Sequence, residues 1–98
     1  MTSKPSDGSL IWEGDYVRGT WIAFQRTGSS DSGKTMVWEV FNYDEAGFPI
    51  GHVRWFARWR QYALFADVPG IVFEKTCLKE ISQFLTDLMS QREEQKRA

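Results

Sequence analysis

Residues 50–66 read IGHVRWFARWRQYALFA, and how this run folds decides the architecture. It holds two Trp, two Phe, one Tyr, three Arg and the only His of the chain, with no acid between Glu45 and Asp67. The run has the pattern of a hairpin with one covered face. With Ala57 and Arg58 as a two-residue turn, Trp55 stands opposite Arg60, Val53 opposite Tyr62, Phe56 opposite Trp59 and Arg54 opposite Gln61. One face then carries Val53, Trp55, Tyr62 and Leu64, the composition of a core. The other presents His52, Arg54, Phe56, Trp59 and Gln61, a mixture suited to contact. Neither turn residue is Gly or Asn, so a longer loop stays open, and a change of one residue would exchange the faces.

The segments before this run also have strand character. Residues 10–17, LIWEGDYV, make one short strand interrupted at Gly14, and residues 20–26, TWIAFQR, alternate so that Ile22 and Phe24 share a side. Residues 35–43 place Met36, Trp38 and Val40 on one face and Val37, Glu39, Phe41 and Tyr43 on the other. Polar loops at 27–34 and 44–49 separate these strands, and Gly and Pro set the second as a turn. After a turn at Asp67–Gly70, residues 71–74 form at most a short last strand.

From Thr76 to about Glu94 the period changes to that of a helix, with Leu78, Ile81, Leu85 and Leu88 on one stripe and Phe84 and Met89 widening it. Thr76 is placed to cap its start. The predicted fold class is therefore α+β: an antiparallel sheet of about four to five strands built from sequential hairpins, packed against one C-terminal helix. Residues 1–9 are polar and read as a disordered arm, residues 10–95 as a single domain, and residues 96–98 as a frayed tail. A chain of 98 residues has room for one core.

Composition narrows the function. A formal charge of −1 argues against a whole-molecule footprint for duplex DNA, leaving only the local basic island of Arg54, Arg58 and Arg60. One cysteine, Cys77, precludes an intrachain disulfide, and no apolar run is long enough for a signal sequence or a membrane span; a cytoplasmic setting is expected.

Residues 28–35, GSSDSGKT, satisfy the phosphate-loop pattern G-x-x-x-x-G-K-[ST], which needs a strand before it and a helix after it. The following MVWEVFNY alternates as a strand, and Asp31 would put a negative charge inside the phosphate nest, so the match reads as an ordinary hairpin loop. His52 and Cys77 are the only nucleophile or base candidates of the usual kind, far apart and with no third group. No metal-ligand spacing occurs, and neither a metal nor another cofactor is expected. The chain is not expected to be an enzyme.

The aromatic and arginine residues remain: His52, Arg54, Phe56, Arg58, Trp59, Arg60 and Gln61. They suit a protein interface, where Trp, Tyr and Arg dominate, or a platform on which bases stack while arginines pair phosphates. The structural alternative buries Trp55 and Tyr62 and lays Arg60 over Trp55.

The runs GHVRWFARWRQYALF (51–65) and GIVFEKTCLKEISQFL (70–85) carry a resemblance. Together with Trp38, Glu39 and Val40, they resemble a group of small phage and prophage proteins of unknown function. That group shares the pattern W-E-V, then G-x-I-x-W-x-x-x-W-R-x-Y-x-F-x-P, then T-V-F-x-x-x-C-L-x-x-I-x-x-F. The pattern maps onto Gly51, Val53, Trp55, Trp59, Arg60, Tyr62 and Phe65, then Val72, Phe73, Cys77, Leu78, Ile81 and Phe84. Asp67 and Val68 stand near the group's Pro, and Ile71 replaces its Thr.

The resemblance implies a phage setting and a sheet closed by a C-terminal helix, and it transfers no catalytic residue. The expected function is a non-enzymatic accessory protein that binds and inhibits a host protein complex, such as one of anti-phage defence, through its Trp/Arg surface. The alternative is a module binding nucleotides or single-stranded nucleic acid on the same face. A homodimer stays open, and no membrane partner is expected.

Overall fold

The computed structural model describes residues 9–42 and 49–97. The expected arm lies outside them apart from Ser9, as does the turn at 44–49 apart from Pro49. Six strands and one helix follow in order: β1 (Ile11–Glu13), β2 (Tyr16–Arg18), β3 (Ile22–Ser29), β4 (Met36–Asn42), β5 (Pro49–Phe56), β6 (Gln61–Ala66) and α1 (Lys75–Arg97). Each strand pairs antiparallel with the next, so the spatial order of the sheet is its order in sequence.

The expectation of four to five strands is corrected to six. Gly14, at φ 67°, does not interrupt one strand but reverses the chain. With Asp15 it forms a two-residue loop that pairs Glu13 with Tyr16, and Gly is the residue that such a turn favours at its first position. The proposed strand at 71–74 is absent. Its Ile71 and Phe73 pack against the core while Val72 is 85% exposed, so the segment is an apolar connection to the helix.

The turn of the β5–β6 hairpin also differs. It takes four residues, Ala57–Arg60, with Phe56 paired to Gln61, Trp55 to Tyr62 and Val53 to Leu64. The N–H groups of Trp59 and Arg60 both donate to the Phe56 carbonyl, winding the loop into a helical turn. Because this register differs from the two-residue turn by two positions, the assignment of faces survives. Val53 and Tyr62 are buried on the helix side with Trp55 and Leu64 packed beside them.

Two irregularities adjust the sheet. The β3–β4 register shifts at Thr27, and the β4–β5 register shifts at Ile50, the extra residue between Val40 paired with Gly51 and Phe41 paired with Pro49. Ile50 is thereby added to the core.

The core lies between the sheet and α1. Val17, Ile22, Phe24, Trp38, Val40, Val53 and Tyr62 from the strands meet Ile81, Phe84 and Leu88 from the helix. Phe84 is central: its ring stacks on Phe24 at 3.8 Å and on Trp12 at 5.5 Å, and meets the edge of Trp38 at 5.0 Å. Leu78, assigned to the helix's apolar stripe, is half exposed instead.

Two polar anchors fix the helix. Glu80 is 1% exposed, and its carboxylate accepts the backbone N–H groups of Thr20, Trp21 and Ile22 at 2.9–3.0 Å. The side chain thus satisfies the turn between β2 and β3, where Gly19 leaves it room: a Cβ there would lie 2.5 Å from Glu80 Oε1. At the helix start Glu74 takes the capping role expected of Thr76. Its carboxylate accepts the N–H groups of Thr76 and Cys77 and the Thr76 hydroxyl.

Candidate binding surface

The sheet face opposite α1 carries a row of side chains from β5 and β6. Cross-strand pairing sets His52 beside Phe65, Arg54 beside Ala63, and Phe56 beside Gln61. The imidazole of His52 lies parallel to the Phe65 ring at 5.2 Å, and the Arg54 guanidinium covers the same ring at 4.0 Å. Phe56 meets Phe65 edge-on at 5.7 Å.

A polar relay runs along one side of this row. Asp67 Oδ2 lies 2.9 Å from His52 Nδ1, and Arg54 Nε donates to His52 Nε2 at 3.2 Å. A guanidinium only donates, so the imidazole receives it on Nε2 and directs its own proton from Nδ1 to Asp67.

At the hairpin tip Trp59 stands against Phe56, ring centroids 4.7 Å apart, and remains 62% exposed. Arg58 and Arg60 flank it, both exposed and in no ion pair among the described residues. Arg60 has φ 56°, a left-handed conformation that costs a non-glycine residue about 1–2 kcal/mol.

Of the seven expected site residues, His52, Arg54, Phe56 and Gln61 therefore share one face, Trp59 joins them through Phe56, and Arg58 and Arg60 project from the loop. Arg60 does not cover Trp55, the contact that its place in the sequence allows. Arg92 of α1 does, at 4.2 Å. Phe65 and Asp67 belong to the surface although the sequence reading passed over them, because a two-residue turn sets Ala63, not Phe65, opposite His52. Only the alternation of Ala63 and Phe65 in β6 signalled the face.

His52 and Cys77 lie on opposite sides of the sheet, Cys77 being packed against the core. Burial raises the Cys77 thiol above its usual pKa, opposite to the lowering that a helix start would give an active thiol. No group of three or more His, Cys, Asp or Glu side chains among the described residues is arranged to hold a metal ion.

The phosphate-loop match is resolved by its backbone. The N–H groups of Ser30 and Gly33 donate to Thr35 and Ser30 carbonyls at 2.8 Å, and those of Lys34 and Thr35 donate to Ser32 and Ser30 hydroxyls. A strand follows, and four amides of the loop are turned onto the loop itself. No described helix is long and apolar enough to cross a membrane.

Among known proteins, the chain is similar to an uncharacterized 9.3 kDa protein of Acholeplasma phage L2. Identity is 31% over 61 residues, which span 62% of this chain and 76% of that one. No protein-family model and no solved structure matches the chain.

Proposed function

Since the chain belongs to the family of that Acholeplasma phage L2 protein, we propose that it is a phage accessory protein without enzymatic activity. In this reading it acts in the host cytoplasm by binding a host protein complex, such as one of anti-phage defence, and inhibiting it. The W-x-x-x-W-R-x-Y run at 55–62 is proposed as the mark shared with other small phage proteins.

The observation that carries this reading is the tip of the β5–β6 hairpin. An indole held upright on Phe56 and 62% exposed stands between two exposed arginines. Trp and Arg supply a large share of binding energy at protein interfaces, and an apolar ring left in water gains most when a partner covers it.

The test is recovery of host proteins on immobilised wild type, Trp59→Ala and Trp21→Ala. The reading expects a host protein retained by wild type and by Trp21→Ala, whose indole is exposed elsewhere, and lost with Trp59→Ala. Equal retention by Trp59→Ala removes the tip from the interface.

A second reading takes the Arg54, Phe56 and Phe65 row as a stacking platform for nucleotides or single-stranded nucleic acid, supported by the guanidinium already layered on an aromatic ring. It expects salt-dependent binding of oligonucleotides that is lost with Arg54→Ala.

A further inference from the structure

Two cavities share a wall where the β3–β4 loop faces the C-terminal half of α1. The larger, about 370 Å³, has Lys34, Arg54 and Arg92 in its lining together with Ser30, Ser32 and Trp55. The smaller, about 50 Å³, shares Lys34 and Arg92 and is lined by Trp38 and Tyr62.

Lys34, Arg54 and Arg92 form no ion pair among the described residues. Asp31 lines the same larger cleft but pairs with none of them, which leaves an excess of positive charge. Two of the cations are already held in place, Arg54 over Phe65 and Arg92 over Trp55, so little freedom remains for a ligand to freeze out. Gathering like charges in a concavity is unfavourable until an anion enters, and the same field draws anions in.

A buried indole lines the smaller cavity. Trp38 is 4% exposed, and its Nε1 has no acceptor among the described residues. An indole N–H can only donate, and leaving one buried without an acceptor is costly. Trp38 lines the smaller cavity together with Lys34 and Arg92, so its indole N–H is a nearby reporter of what enters there.

We propose that this cleft binds a small phosphorylated ligand of nucleotide size, with its phosphate between Lys34 and Arg92 and its organic part in the larger cavity. The volume suits such a ligand. The planar guanidinium and the lysine point charge are the donors that phosphate oxygens take best. Lys34 acts through its side chain, since its backbone N–H is spent inside the loop. The cleft shares Arg54 with the sheet face described above, but Lys34 and Arg92, which hold the phosphate, lie outside the β5–β6 hairpin.

The experiment is a titration of the full chain, isotopically labelled and followed by amide and indole NMR, with ADP, pyrophosphate, adenosine and glutarate. ADP and pyrophosphate are expected to shift the Trp38 indole N–H and the amides of 30–35 saturably, while adenosine and glutarate leave them in place. Lys34→Gln and Arg92→Gln should each weaken ADP at least about tenfold. Lys79→Gln, an equal charge loss on the exposed side of α1, should not. The thermal midpoint of each variant is measured alongside, and Lys34, an exposed loop residue, provides a variant expected to fold. Absence of saturable shifts, equal shifts with glutarate, or wild-type affinity in a folded Lys34→Gln overturns the proposal.

Discussion

Three backbone N–H groups of the β2–β3 turn converge on the carboxylate of Glu80, while the Gly19 N–H donates to the Ile22 carbonyl. Replacing Glu80 by Ala leaves three donors short of an acceptor in a largely buried place, and each costs about 1–3 kcal/mol. Glu80→Ala is therefore expected to lose about 3 kcal/mol or more in a denaturant titration. Glu80→Gln, which keeps a carbonyl oxygen, should lose less. Nothing in the letters announces this role. A glutamate between Lys79 and Ile81 reads as the wet side of a helix, and only the three-dimensional meeting with Gly19 and Thr20, some sixty residues earlier, gives it a purpose. Phe65 and Asp67 were hidden for a related reason, since their place beside His52 depends on the length of a loop whose residues carry no turn signal.

Helix α1 shows what one element owes to its ends and to its stripe. Its first turn is closed by Glu74, whose pKa is lowered by the hydrogen bond from the Thr76 side chain, then by that from the Cys77 backbone. A carboxylate whose folded pKa is depressed contributes stability that is present above its unfolded value, near the ordinary 4.5, and is lost as pH falls through the folded value. The expectation is that wild type is more stable than Glu74→Gln at neutral pH and that the two stability curves converge under acid, measured as thermal midpoints across the titration. Equal midpoints at neutral pH would remove the cap. The existence of this helix was legible from its period, and so were the faces of the strands around Ile22, Phe24, Val53 and Tyr62, because alternating burial leaves a direct trace in sequence. The phase of the stripe was less so. Leu78 and Phe84 are both apolar at helical spacing, and the sequence does not say that the helix is rolled so that Phe84 faces the sheet while Leu78 faces water.

At the scale of the molecule, the ring of Phe84 ties the helix to three strands at once, touching β1, β3 and β4 through Trp12, Phe24 and Trp38. Phe84→Ala is expected to cost about 3–5 kcal/mol, whereas Leu78→Ala should remain within about 0.5 kcal/mol of wild type, both read by chemical unfolding. The sheet itself is a meander whose neighbours in space are neighbours in sequence, so the number of strands turned on one glycine: Gly14 looked like a flaw in a strand and is a reversal between two. The sequential order has a further consequence. Synthesis proceeds from the N-terminus, so every strand leaves the ribosome before the helix that shields their apolar side. A nascent chain carrying the six described strands must wait, with that side bare, for residues 75–97, and the clasp between Glu80 and the β2–β3 turn closes only after them.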